Sequence, residues 1–376
     1  MSSSRTQQAL VLTARDKPLS LQTVLIPEAV PGSAVIRVLA TSISPSTRKV
    51  LAGEMFTALT PPLIPSSSAI GRIHSVGPDA TALAEGQLVF GDFFVRGRDD
   101  ADASILLGYM GGVDAGSAKL MEGEWRNGTY AEYAKLPLEN IYPLNEELLV
   151  NHMRYSFADL TWLNVAFVNA GGLLGIGVQP GDTVIVAPST GYFSGGGVHL
   201  ALALGARVIA AARNQKVLSE MTEAYRSTGR LTTVALSGDV ETDTAALKQV
   251  CGSSKGADIY LDWSPPQAAK STHIQACLSA LKPFGKCILM GAIFANIEIP
   301  YLPVMRNSIR IQGRYMFERE HALQVIKMTE AGLLRLGPGE GSSIKVQAGF
   351  KLGDVDKAFD AAEEYSGWGN LVVLEP

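Results

Sequence analysis

The stretch TVIVAPSTGYFSGGGVHLALALGARVIAAARNQK, residues 183–216, decides the fold. Val184, Ile185 and Val186 form the short β-branched run expected of a strand buried on both faces. Pro188, Ser189, Thr190, Gly191 and the SGGG run at 194–197 are small or flexible and read as the turn after it. VHLALALGA then predicts about two helical turns, closed by Gly205. The run RVIAA at 207–211 is the next strand. This is the start of a βαβ unit. The first turn of such a unit is where a dinucleotide pyrophosphate binds, because helix N-terminal N–H groups face the anion and small side chains let it approach.

The glycine fingerprint of that turn is altered. Aligned on Gly205-Ala206, GxGxxG falls on Ser189, Thr190, Gly191, Tyr192, Phe193 and Ser194, and only the middle glycine remains. The serines supply hydroxyl donors, and Tyr192 is placed to stack on or cover a cofactor. By itself the turn fits a plain βα loop equally well. The end of the second strand adds a further signal. A free ribose 2′-OH is usually held there by Asp or Glu, but this chain has Arg213, Asn214, Gln215 and Lys216. Two cations without a carboxylate point to a 2′-phosphate and hence to NADP(H); solvated surface charge is the plainer alternative.

The chain has 376 residues, enough for two domains with their own cores. Charged residues make up 18% and hydrophobic residues 47%, which excludes a disordered protein. A net charge of −4 gives nucleic-acid binding no electrostatic support. The N-terminal MSSSRTQQALVLTARDK lacks the apolar core of a signal peptide. No run of about 18 apolar residues predicts a membrane span. A cytoplasmic location is therefore expected. Cys251, Cys277 and Cys287 lack metal-ligand spacing and read as reduced, buried thiols.

Residues 8–40 alternate as strands, with Pro31-Gly32 as a turn, and short strands continue through Val89-Phe90. Residues 108–136 are glycine-rich and read as a long irregular loop, in which Met110, Met121 and Trp125 could form a lid or act as anchors. From 183 to about 313 strands and helices alternate, a helix is expected over 318–331, and the final strand over 370–374 could rejoin the first domain.

The pieces VLATSISPSTRKVLAGE, GRIHSVGPDA, GTYAEYAKLPLENIYPL, VQPGDTVIVAPSTG, LALGARVIAAARN, GADIYLDW, LKPFGKCILMGA and GNLVVLEP, in this order, resemble the medium-chain dehydrogenase/reductase superfamily over essentially the whole chain. The resemblance implies an α/β protein, with a GroES-like β-barrel catalytic domain plus a Rossmann-type parallel-sheet nucleotide-binding domain. The expected division is 1–150 for the first part of the catalytic domain, 151–313 for the NADP(H)-binding domain, and 314–376 for the return to the catalytic domain.

The superfamily divides on zinc. In its zinc alcohol dehydrogenases a Cys stands at the position of Ser44 and a His-Glu pair at Ser67 and Ser68, while the region 95–125 carries four cysteines that this chain lacks. Serine is a poor zinc ligand, and His74 alone is more simply a packed residue. The expectation is no metal. The zinc-free members are similar to quinone oxidoreductases and enoyl reductases, which deliver hydride from NADPH to a conjugated C=C–C=O system. In the enoyl reductases an Asn-Pro-x-Asp-x-Lys segment lines the cleft and corresponds here to residues 44–49. Pro45 and Lys49 match it; Ser44 and Thr47 depart.

The resemblance makes Lys49 a candidate to hold a substrate carbonyl, cofactor ribose or enolate oxygen, and Tyr130 a candidate proton donor or a structural aromatic. It also places Gly291, Ala292 and Ile293 beside the nicotinamide ribose, Tyr315 and Met316 beside the carboxamide, and Asn370 where a cofactor-reaching lysine is common. Asp262 ends a strand in a cleft-facing position and reads as a cap into Ser264-Pro265-Pro266.

The expected function is zinc-independent, NADPH-dependent reduction of an activated C=C or carbonyl in a hydrophobic small molecule, with a secondary-metabolite pathway suggested by analogy. A non-redox cyclase, isomerase or lyase on the same scaffold, and an NADPH- or quinone-binding protein without turnover, are the alternatives. Neither a nucleic acid nor a membrane is expected as partner, and monomer and homodimer are both open.

Overall fold

The computed structural model describes residues 5–15, 17–55, 59–252, 255–339 and 341–376. It comprises two compact units. One runs up to Asn164 and takes in Lys345–Ser366 and Asn370–Pro376; the other is Val165–Ile344 with Gly367–Gly369.

In the first unit a seven-stranded sheet has the order Lys345–Phe350, Asn370–Leu374, Ser33–Ser42, Ala69–Val76, Leu88–Gly91 and Ile141–Pro143, with Tyr133–Pro137 also paired to Ser33–Ser42. The final strand joins this unit antiparallel, Val373 opposite Ser42 and Leu374 opposite Thr41. Ser33–Ser42 is buried along almost its whole length because it is central, so SAVIRVLATS reads as a nearly unbroken apolar and small-residue run.

Residues 108–136 are more ordered than their glycine content suggests. A helix, Ala115–Glu122, starts where Asp114 Oδ1 accepts the Ser117 N–H at 2.8 Å, and a strand begins at Tyr133. Met121 is buried, while Met110 and Trp125 are half-buried.

The second unit is a six-stranded parallel sheet in the order Leu231–Ala235, Arg207–Ala212, Thr183–Ala187, Ala257–Asp262, Leu281–Leu289 and Arg310–Gly313. Every residue of Thr183–Ala187 is buried, as the β-branched run requires. Cys251, Cys277 and Cys287 are buried free thiols in its core.

The units divide at Asn164/Val165 and Ile344/Lys345, not at 150 and 313. Residues after 313 stay with the second unit because Phe317 packs edge-on against Phe167, 5.3 Å between centroids, and the Arg335 carbonyl meets His199 Nε2 at 2.8 Å. At the other boundary, Ser68 Oγ reaches Asn164 Oδ1 at 3.2 Å within the first unit.

The helix after the first parallel strand starts earlier than expected, running Tyr192–Ala203 with Gly191 at its N-cap. Residues 194–197 therefore belong to the helix and not to the turn. Their lack of side chains is used for packing: a Cβ on Gly195 would fall 2.3 Å from Trp368 Cβ, and one on Gly197 2.8 Å from Asn169 Oδ1 and Leu261 Cδ2. Gly205 follows at φ +89°, the left-handed conformation that stops the helix.

Gly171, in the helix Leu163–Leu173, is tighter still, because its Cβ would meet the Met316 carbonyl oxygen at 2.0 Å. A backbone carbonyl cannot swing aside. Gly171→Ala should therefore cost about 1–3 kcal/mol, in spite of the ~1 kcal/mol that alanine gains over glycine in a helix. Calorimetry should register a lowered melting temperature; an unchanged or raised one would show that the contact relaxes.

Candidate functional site

The parallel register aligns the carboxyl ends of four strands: Ala187 is opposite Asp262, Asp262 opposite Leu289, and Leu289 opposite Gly313. The segments leaving these ends therefore gather at one edge of the sheet. They are the turn 188–191, Trp263-Ser264, residues 290–293 and residues 314–316. The strand order reverses direction between Thr183–Ala187 and Ala257–Asp262, and the crevice at such a switch point is where open α/β sheets bind ligands.

The first turn has the features of an anion site. Gly191 is exposed and its N–H donates to Ser194 Oγ at 2.9 Å, which fixes the helix start. The first-turn N–H groups of a helix have no earlier carbonyl to bond. Ser189 is fully buried, its N–H tied to the Ala211 carbonyl at 3.0 Å, yet its hydroxyl has no hydrogen-bond partner. Thr190 is half-buried and its carbonyl accepts the Trp368 N–H at 3.2 Å.

Tyr192 and Phe193 are half-buried and edge-to-face, 5.1 Å between centroids; Phe193 in turn stacks on Trp263 at 5.4 Å and 15°. Asn169 holds that stack from beneath. Its Nδ2 donates to the Phe193 carbonyl and its Oδ1 accepts the Trp263 Nε1–H, each at 2.9 Å.

Arg213 and Lys216 are both exposed just beyond Arg207–Ala212, and neither makes an ion pair among the described residues. Asn214 caps the next helix, Gln215–Ala224, through its Oδ1 and the Val217 N–H at 3.3 Å.

On the other strand ends, Asp262 is buried and structural. Its Oδ1 accepts from Tyr260 Oη at 3.0 Å and from Ser264 Oγ, whose oxygen also meets His273 Nε2 at 2.8 Å. This network holds the segment that binds residues 290–292, since Met290 N–H donates to the Asp262 carbonyl and Ala292 N–H to the Ser264 carbonyl. Gly291 has no room for a side chain, as a Cβ would lie 2.5 Å from the Ser264 carbonyl oxygen. Ala292 and Ile293 are half-buried and Tyr315 is 52% exposed. Met316 is buried at φ +54°.

In the first unit the candidates separate. Pro45 is half-buried. Lys49 is exposed on the short helix Thr47–Leu51, while its neighbour Arg48 is the paired cation, bonded to Asp360 at 2.6 Å and Glu363 at 3.1 Å. Tyr130 is fully buried and its hydroxyl donates to the Ser42 carbonyl at 3.4 Å, so it is a barrel aromatic and not an accessible proton donor. Asn370 accepts the Gln347 Nε2–H at 2.6 Å.

Around Ser44, Ser67 and Ser68 lies a set of hydroxyls. Ser67 Oγ meets Ser42 Oγ at 3.1 Å, and Ser68 Oγ donates to Asp92 Oδ1 at 3.4 Å. Asp92 also accepts the Phe94 N–H at 3.2 Å and Asn140 Nδ2 at 3.3 Å. Burial pushes its carboxyl up to about 7, against these hydrogen bonds, which favour the anion. Ser44 Oγ meets Ser46 Oγ at 3.1 Å, and Ser46 Oγ meets Tyr109 Oη at 3.1 Å. Neither Asp92 nor Tyr109 carries a local sequence signal, because their partners are distant in the chain.

Family models match both halves of the chain: the alcohol dehydrogenase GroES-like domain over residues 30–146 and the zinc-binding dehydrogenase domain over 195–331. The chain belongs to the medium-chain dehydrogenase/reductase superfamily. An L-threonine 3-dehydrogenase of Streptomyces avermitilis is 25% identical, with 98% of this chain and 99% of that protein covered. Among solved structures, an NAD-dependent alcohol dehydrogenase superposes with a TM-score of 0.74 at 22% identity, covering 98% of this chain and 99% of that one. A zinc-binding dehydrogenase from Sinorhizobium meliloti 1021 bound to NADP superposes with a TM-score of 0.76 at 18% identity, covering 99% and 100%. The sheet of the first unit is thus the GroES-like domain of this superfamily, and the parallel sheet its Rossmann domain.

Zinc is the metal the superfamily implies. The donors at the corresponding positions are serine hydroxyls already bonded elsewhere, Ser44 to Ser46, Ser67 to Ser42 and Ser68 to Asp92, and among the described residues no group of three or more His, Cys, Asp or Glu could hold a metal ion. This donor set does not fit Zn²⁺, which takes thiolate, imidazole or carboxylate. A dinucleotide fits better: the helix start at Gly191 and the orphaned Ser189 hydroxyl are groups that can face a pyrophosphate. Among the described residues no helix is long and apolar enough to cross a membrane.

Proposed function

We propose that this oxidoreductase works without zinc and uses NADPH to reduce an activated C=C or carbonyl of a hydrophobic small molecule in the cytosol. The observation that carries this reading is the all-hydroxyl set at Ser44, Ser67 and Ser68, which leaves nothing to acidify an alcohol as a zinc ion would. Support for NADPH is the pair Arg213 and Lys216 in place of a carboxylate.

In this reading Arg213 and Lys216 hold the 2′-phosphate, and Ser189, Thr190 and the N–H groups of residues 192 and 193 hold the pyrophosphate. Gly291, Ala292, Ile293, Tyr315 and Met316 border the nicotinamide end. When bound, the dinucleotide supplies a hydride. Lys49 neutralises the oxygen on which charge develops as the conjugated system is reduced.

Purified protein should oxidise NADPH, followed by its absorbance, with members of a panel of enones, quinones and aldehydes, and a zinc chelator should leave the rate unchanged. Rate loss on chelation, or turnover only as NAD-dependent alcohol oxidation, overturns the reading.

A homodimer belongs to the same reading. The strand Arg310–Gly313 ends the parallel sheet, and Ile299, Tyr301, Leu302 and Met305 are exposed just before it, an open edge beside an apolar patch. Sedimentation should give a dimer that Leu302→Glu converts to monomer; a monomer at all concentrations overturns it.

A further inference from the structure

The strand Ala257–Asp262 ends on a carboxylate whose two oxygens are used differently. Oδ1 accepts two hydroxyls, Tyr260 at 3.0 Å and Ser264. Oδ2 makes no hydrogen bond among the described residues. Asp262 is only 3% exposed, and a carboxylate oxygen with no donor is costly at that depth.

The network behind Oδ1 has a direction. Ser264 is fully buried, and its one hydroxyl proton goes to Oδ1, so its oxygen accepts from His273 Nε2–H at 2.8 Å. His273 is buried as well, and its Nδ1 meets the hydroxyl of the exposed Ser271 at 2.6 Å. A carboxylate is planar, so holding Oδ1 from two sides also fixes where Oδ2 stands. It lies against Gly291, where a Cβ would fall 2.8 Å from Oδ2 and 2.5 Å from the Ser264 carbonyl oxygen. A side chain at 291 would cover Oδ2 or push it aside. The segment is kept in place by Met290 N–H on the Asp262 carbonyl at 3.1 Å and Ala292 N–H on the Ser264 carbonyl at 2.8 Å.

A carboxylate oxygen accepts and cannot donate, and it repels phosphate. Its partner in a dinucleotide is therefore a neutral donor. Arg213 and Lys216 follow Arg207–Ala212, which lies on the other side of Thr183–Ala187 from Ala257–Asp262. Two strand spacings, about 10 Å, thus separate the two strands across the sheet. We propose that Asp262 Oδ2 accepts a hydrogen bond from the nicotinamide-bearing half of the cofactor, and that Ser264 and His273 are the positioning residues that aim it. This rests on the NADPH reading above and adds a binding group to it. Two donors on that half have the required chemistry, a ribose hydroxyl and the carboxamide N–H.

The test is Asp262→Asn. Asparagine leaves an acceptor oxygen for Tyr260 and Ser264 and puts an NH₂ donor where Oδ2 stands. Calorimetry on the native and variant proteins would use NADPH, 2′,5′-ADP as the adenine half alone, and the reduced 3-acetylpyridine analogue, in which an acetyl group replaces the carboxamide. Asp262→Asn should weaken NADPH about 10- to 100-fold and leave 2′,5′-ADP unchanged. An analogue weakened as NADPH is identifies the ribose hydroxyl as donor; one that binds both proteins equally identifies the carboxamide. His273→Gln, whose amide can replace Nε2–H, should keep native NADPH affinity, and His273→Leu should not. Should Asp262→Asn fail to fold, Ser264→Ala decides: it frees Oδ1 while keeping the carboxylate, and its loss should again be confined to NADPH. Unchanged NADPH affinity, or equal loss of NADPH and 2′,5′-ADP, overturns the proposal and leaves the cofactor reading standing. A native protein that binds neither nucleotide overturns both.

Discussion

Arg213→Glu should weaken NADPH binding about 10- to 100-fold, because a charge-assisted hydrogen bond to a phosphate contributes about 1.5–3 kcal/mol. The variant also places a like charge against the 2′-phosphate. NADH carries no such group, so its affinity should hold or rise as the new carboxylate meets a free ribose hydroxyl. Arg213 is exposed and lies outside the core of the sheet, so the fold should be indifferent to the change. Fluorescence titration of both nucleotides against both proteins measures the effect. Equal loss for NADPH and NADH would indicate a damaged site, and unchanged NADPH affinity would place the 2′-phosphate elsewhere and remove the argument for NADP specificity.

Asp92→Asn should remove a pH dependence of stability. The carboxyl is buried and raised to about 7 from an ordinary 3.8. In the native state it holds its proton over a range where the unfolded chain has already released it. Stability from this group is complete below the unfolded value, falls as pH rises through the window from 3.8 to about 7, and is level above it. At about 1.4 kcal/mol for each pH unit of separation, the full swing is about 4 kcal/mol.

His199 acts in the reverse sense. Burial lowers it to about 4 from 6.5, so its contribution is lost as pH falls through that range. The two partly cancel in the native protein. Chemical unfolding at pH 5 and pH 8 should give Asp92→Asn a stability relative to native that is about 2–3 kcal/mol more favourable at the higher pH. A relative stability that does not vary with pH would mean that Asp92 is ionised in the folded protein throughout.

Much of the nucleotide-binding half was legible because its signals are local. A buried β-branched run, a glycine that stops a helix and a second small-residue strand lie within residues 183–216, and each follows from a period or a backbone preference of its own neighbourhood. The helix start was misread for the same reason. Local propensity assigns SGGG to a turn, but Trp368, Asn169 and Leu261 occupy the space that side chains on Gly195 and Gly197 would need, and packing outweighs propensity. Tyr130 lies within a recognisable segment, yet only its burial separates it from an accessible acid.

The amino-acid sequence by itself determined the superfamily, the parallel sheet with its small-residue turn, the cations after the second strand and the serines at residues 44, 67 and 68. These are properties of residues near one another in the chain. Only the tertiary structure decided which of those groups are engaged. Ser46 meets Tyr109 across 63 residues, Asn169 meets Trp263 across 94, and Asp92 becomes a carboxyl that resists ionisation because chain from several elements closes over it. Contacts at that separation leave no period in the sequence, and the cost of burying a charge is set by everything packed around it.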